Sequence, residues 1–67
     1  MIQLTINGEA RTLTRAADVA AMIAELELDP RKVAVERNLA IVPRSAYRVT
    51  PLSDGDRIEI VAFIGGG

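Results

Sequence analysis

The chain has 67 residues, 49% of them apolar but only 3% aromatic, and carries a formal net charge of −1. A chain of this length holds one domain with an aliphatic core, and it buries only about 60% of the surface its unfolded form exposes, so its stability should be modest. The absence of Cys and His excludes disulfides, thiolate nucleophiles, the commonest general base and the usual soft metal ligands, and the near-neutral charge excludes the basic stripe of an electrostatic nucleic-acid binder.

Ile2, Leu4 and Ile6 alternate with Gln3 and Thr5, the pattern of a half-buried strand. The segment lacks the basic stretch and apolar run of a signal peptide, and no stretch approaches a membrane span, so a cytoplasmic protein is expected. Asn7-Gly8 follows, a strong hairpin signal because both residues tolerate positive φ. A second strand should run from Ala10 to Leu13. A strict two-residue turn would pair Ile6 with Glu9 and Leu4 with Arg11, placing charges on the apolar face. A bulge or longer loop near Gly8 is therefore expected.

Asp18 suits a helix N-cap. Val19, Met22, Ile23 and Leu26 then form one helical face, with the helix formers Ala20, Ala21 and Ala24 between them. Asp29-Pro30 is expected to end the helix, since a residue before proline leaves the α region. Val33, Ala34 and Val35 read as a third strand, and Asn38 opens a turn. Ile41-Val42 forms a short strand closed by Pro43. Arg44 to Leu52 has little periodicity and reads as a loop with room for one helical turn. Ser53-Asp54-Gly55-Asp56 is a tight turn, and Arg57 to Val61 is the last strand. One helix with a single apolar stripe must lie on one face of the sheet, and a right-handed crossover brings a later strand parallel to an early one. The expected fold is therefore α+β, of the β-grasp type: a mixed sheet of four to five strands packed on one main helix. Residues 1–64 form the domain and residues 65–67 a flexible tail.

No side-chain constellation supports catalysis. Ser45 and Ser53 have no base to activate them, and no glycine loop precedes a Lys and Ser/Thr to cradle a phosphate. Asp54 and Asp56 flank Gly55 but lack the twelve-residue calcium pattern, so a capped turn is the expectation and no metal is expected. Gly65-Gly66-Gly67 differs. Glycines can thread a tunnel that excludes every residue with a Cβ. The terminal carboxylate is a poor acyl electrophile that a partner enzyme can activate, for instance by adenylation. The competing reading is a frayed terminus or an expression scar. The glycines directly follow an apolar strand with no polar linker, and the chain stops there with its carboxylate, which favours the reactive tail. The tail should be disordered alone, because ordering three glycines forfeits entropy without contacts. Ile58, Ile60, Ala62 and Ile64 share one strand parity and Val61 and Phe63 the other, so Val61 and Phe63 are expected on the face away from the helix, as a docking surface. Arg44 and Arg48 fit solvated surface charge better than a partner guide.

Asn7-Gly8-Glu9, the run Leu28 to Glu36, Ile41-Val42-Pro43-Arg44-Ser45, and the run Leu52 to Val61 leading into Gly66-Gly67 together resemble the ThiS family of ubiquitin-like sulfur carriers of thiamine biosynthesis. The resemblance covers nearly the whole chain, and Val42-Pro43-Arg44-Ser45 is its most specific internal piece. It implies a β-grasp carrier protein, not an enzyme, with no cofactor of its own. A ThiF-like adenylating enzyme would use ATP to activate the Gly67 carboxylate. Sulfur from a desulfurase route would replace the AMP, and a ThiG-like thiazole synthase would take the sulfur from the thiocarboxylate into the thiazole ring. Phe63 and Ile64 would form the apolar approach to the partner site. Two positions depart from the family pattern. Leu39-Ala40 follows Asn38 where glycine is frequent, which implies a different turn type. Glu27 stands where glycine often ends the helix, which disfavours a left-handed cap. The small subunit of molybdopterin synthase, and an interaction module with an inert tail, are the alternatives. The Val-Pro-Arg-Ser segment and the short chain favour the thiamine carrier.

Overall fold

In the computed structural model, which describes residues 1–63, five strands and one α-helix follow the expected order. They are β1 (Ile2–Ile6), β2 (Glu9–Leu13), α1 (Val19–Glu25), β3 (Val33–Arg37), β4 (Ala40–Val42) and β5 (Arg57–Ala62), with 3-10 segments at Pro30–Lys32 and Arg44–Val49. The sheet order is β2-β1-β5-β3-β4. β1 and β5 are parallel, with Ile6 opposite Ile58, and the other neighbours are antiparallel. This is the β-grasp arrangement. No helix among the described residues is long and apolar enough to cross a membrane.

The core forms where the alternating strand residues Leu4, Ile6, Val33, Val35 and Ile58 meet Val19, Met22 and Ile23 of α1, all buried. Burying each such side chain contributes about 1.5–3 kcal/mol. Tyr47 closes the core from the second 3-10 segment, its hydroxyl donating to the Val33 carbonyl at 3.2 Å. Helix α1 starts where Asp18 accepts a hydrogen bond from the Ala21 N–H at 2.8 Å, as expected for an aspartate N-cap.

Three local expectations are corrected. The β1–β2 hairpin has no bulge: its two-residue turn has positive φ at Asn7 (52°) and Gly8 (82°) and pairs Ile6 with Glu9 and Leu4 with Arg11. Charges are tolerated there because β2 is an edge strand. Glu9 to Thr12 are all exposed and only Leu13 is buried, so the charged ends reach water beyond the short helix.

The helix ends at Glu25, before Asp29-Pro30. Glu27 adopts the left-handed conformation (φ 60°) despite being no glycine. The Glu27 N–H donates to the Ala24 carbonyl and the Leu28 N–H to the Ile23 carbonyl, both at 3.0 Å, which is a Schellman cap. Leu28 thereby packs against the core, and that apolar contact offsets the roughly 1 kcal/mol of left-handed strain. Asp29 instead caps the 3-10 segment, accepting from the Arg31 N–H at 2.8 Å.

The β3–β4 turn keeps the double positive φ of a type I′ turn, with Asn38 at 52° and Leu39 at 71°, although Leu39 is not glycine. The register, Arg37 opposite Ala40, makes this a two-residue hairpin, and positive φ at both residues selects type I′ from the two turns that follow the strand twist.

Candidate functional site

The expected chemistry lies at the C-terminal end, so the site is built by whatever holds β5. This strand is central, between β1 and β3. It pairs with β3 from Arg37 opposite Ile58 to Val33 opposite Ala62, and the Phe63 N–H extends the ladder by donating to the Lys32 carbonyl at 2.7 Å. On the other side, β1 leaves early because its chain turns at Asn7. The Asn7 side chain replaces the missing strand: its Oδ1 accepts from the Ile60 N–H at 2.8 Å and its Nδ2 donates to the Ile60 carbonyl at 3.1 Å.

The start of β5 is held by a buried carboxylate. Asp56, only 6% exposed, accepts from Arg37 Nε (2.8 Å), Asn38 Nδ2 (3.0 Å) and the Ser53 N–H (2.8 Å). Burial raises the Asp56 carboxyl pKa, but the hydrogen bonds from Asn38, Ser53 and Arg37 and the charge of Arg37 outweigh burial, so the net shift is downward. Asn38 completes the clamp by accepting from the Arg57 N–H at 2.9 Å. Asp54 is likewise engaged, accepting from the Gln3 N–H at 2.8 Å, and Gly55 supplies the turn's positive φ of 86°. Both aspartates flanking Gly55 thus tie β5 to its neighbours. Among the described residues no group of acidic side chains is arranged to hold a metal ion.

Ile58 faces the core, and Val61 and Phe63 lie on the opposite, open face, 59% and 49% exposed. The open face also carries Ile41, 79% exposed, next to Glu36 in register, while Glu36 lies opposite Glu59. Ile41 was not singled out from sequence. Strand alternation would have found it, because a buried Val42 obliges Ile41 to face the other way. Leu39, at 76% exposure, projects from the adjoining turn. Ser45, Ser53 and Arg48 are exposed, and Arg44 donates from Nη2 to the Arg31 carbonyl at 3.1 Å. Ile64, Gly65, Gly66 and Gly67, and with them the expected tail disorder, lie outside the described residues.

The model of the ThiS family matches residues 4–67. The chain is 56% identical over 66 residues to a thiazole synthase of Paramagnetospirillum magneticum, covering 98% of this chain and 20% of that protein. It spans about a fifth of the length of the thiazole synthases it matches. It is 35% identical to the sulfur carrier protein ThiS of Bacillus subtilis, covering 96% of this chain and 98% of that one. Among solved structures, the thiamine biosynthesis protein (ThiS) of Geobacter metallireducens superposes with a TM-score of 0.83 at 33% identity, covering 98% of this chain and all of the other. The chain belongs to the ThiS family.

Proposed function

We propose that this chain is a sulfur carrier of thiamine biosynthesis and that the Gly67 carboxylate is its reacting group. The observation that carries the reading is that the family match runs through the glycine tail to residue 67, on a chain that contains neither Cys nor His.

Residues 1–64 act as the ubiquitin-like body and residues 65–67 as the reactive tail. A carboxylate oxygen of Gly67 attacks the α-phosphorus of ATP in the active site of an adenylating partner of the ThiF kind. Pyrophosphate leaves and an acyl-adenylate forms. A sulfur nucleophile at the oxidation level of sulfide, supplied through a desulfurase route, then adds to the carbonyl carbon. AMP departs with the bonding electron pair, and a thiocarboxylate remains. A thiazole synthase of the ThiG kind takes that sulfur into the thiazole ring; the longer relatives named thiazole synthase support this choice of acceptor. The carrier's part is to present the tail at a fixed place. β5 supplies it, held at Asp56 and Asn7. Val61, Phe63 and Ile64 are the docking residues, joined by Ile41 on the open face. The cycle belongs in the cytoplasm.

The test is rescue of a thiamine auxotroph that lacks its own carrier. The 67-residue chain should restore growth without thiamine and fail to do so once Gly67 is deleted. Restoration of molybdenum-cofactor enzymes instead would assign the chain to molybdopterin synthesis. Equal rescue with and without Gly67 would contradict the carrier chemistry.

A further inference from the structure

On the face opposite Val61 and Phe63, a groove of about 500 Å³ runs between α1 and the 3-10 segment Arg44–Val49. Its floor is apolar, made by Ala20, Ile23, Ala24 and Leu28. The two alanines create the depression, since a longer side chain on either would fill it. Arg31, Arg44 and Arg48 stand around it. Arg31 is neutralised locally by Asp29, its Nη2 3.1 Å from the carboxylate. Arg44 spends one N–H on the neutral Arg31 carbonyl and so keeps its charge. Neither Arg44 nor Arg48 has a carboxylate within ion-pair distance among the described residues. Two uncompensated cations therefore border an apolar trough, on a chain whose net charge is −1.

We propose that this groove docks an acidic segment of a partner protein, with an aliphatic or aromatic side chain seated between Ala20 and Ala24 and carboxylates meeting Arg44 and Arg48. Charge complementarity selects an acidic segment, and the apolar floor selects a peptide over a bare anion, which would leave the trough unfilled. A nucleic acid would need a longer basic track than these arginines provide. The groove and the open face lie on opposite sides of the sheet. A segment bound here leaves Ile41, Val61 and Phe63 uncovered, so a partner can hold the carrier while the tail end remains presented. This inference concerns a second surface and does not rest on the tail chemistry.

The probe is a synthetic peptide with one leucine or phenylalanine flanked by Asp and Glu, titrated into the isotope-labelled chain and followed by amide chemical shifts. Shifts should cluster at Ala20 to Ala24, Leu28 and Arg44 to Arg48 and weaken with added salt. Arg48→Glu should weaken binding by about tenfold or more, the loss of one good charge contact. Ala24→Met, which occludes the trough with a strong helix former, should weaken binding while leaving the spectrum of the rest of the fold in place. A peptide with Asn and Gln for its acids should shift nothing. The proposal is overturned by shifts confined to Ile41, Val61 and Phe63, by equal response to inorganic phosphate or a short RNA, or by binding indifferent to both substitutions.

Discussion

Asn7 and Ile60 are joined side chain to backbone by a pair of hydrogen bonds, 2.8 Å to the Ile60 N–H and 3.1 Å to its carbonyl. Asn7 thus serves two purposes. Its positive φ turns the chain out of β1, and its amide then stands in for the strand that has ended. Replacing it with glycine keeps the turn and removes the amide, which should cost about 1 kcal/mol. Replacing it with alanine removes the amide and keeps a Cβ in the left-handed region, which alanine tolerates less well than asparagine, so it should cost about 2 kcal/mol. Urea denaturation measures both. Amide exchange at Ile60 to Phe63 should quicken in each variant, and unchanged exchange there would show that β5 does not depend on Asn7.

Among the described residues, Glu27 and Leu39 are the exposed ones with left-handed φ that are neither glycine nor asparagine, at 60° and 71°. Glu27→Gly and Leu39→Gly should each raise stability by about 0.5–1 kcal/mol, because relief of strain exceeds the added entropy of the unfolded chain. In a domain this small that is a rise in Tm of several degrees. A fall in Tm for either would mean that the side chain contributes more than its backbone strain costs.

Asp56 should be the most sensitive polar position. Asp56→Ala leaves Arg37, Asn38 and the Ser53 N–H without their shared acceptor, and it should destabilise by about 3 kcal/mol. Arg37→Met removes a more exposed partner and should cost less. Denaturation of the pair checks the order.

Acid stability follows from the same group. The Asp56 pKa is lowered in the fold, and so are those of Glu25, chiefly by hydrogen bonds from the Thr14 and Arg15 N–H groups, and Asp29, chiefly by Arg31. A lowered folded pKa gives stability that is complete above the unfolded value, about 4, and is lost as pH falls through the folded one. With no His and no Cys in the chain, Tm should be flat from about pH 5 to 8 and fall below about pH 4. The Asp56→Ala variant should show a shallower acid decline.

The open face should affect partners and not folding. Val61→Lys and Phe63→Ser should change stability by no more than about 1 kcal/mol, since both side chains are half exposed or more. Each should lower kcat/KM for activation by an adenylating partner, through KM.

Much of the fold was legible because periodicity reports burial directly. The alternation in β1 and β5 and the Val19-Met22-Ile23 stripe placed the core, and Asp18 placed the helix start. Judging the hairpin register from Leu4 and Arg11 failed because pattern alone does not show that β2 is an edge strand, where one face is open to water. The early helix end was hidden because the pull of Leu28 onto the core is a tertiary term that no local propensity contains. Val61 and Phe63 were legible from parity. Ile41 was legible from its alternation with Val42 but was not singled out, because a three-residue strand draws little notice beside β5. The Asn7 amide was hidden because its partner lies 53 residues away.

The central claim is most directly tested by intact mass. The 67-residue chain is incubated with an adenylating partner, ATP and a sulfur source, and its C-terminal fragment is then sequenced by mass spectrometry. The account predicts an AMP adduct, or an exchange of oxygen for sulfur at Gly67, that disappears when Gly67 is deleted. An unchanged mass, with the same partner active on another carrier, would contradict it.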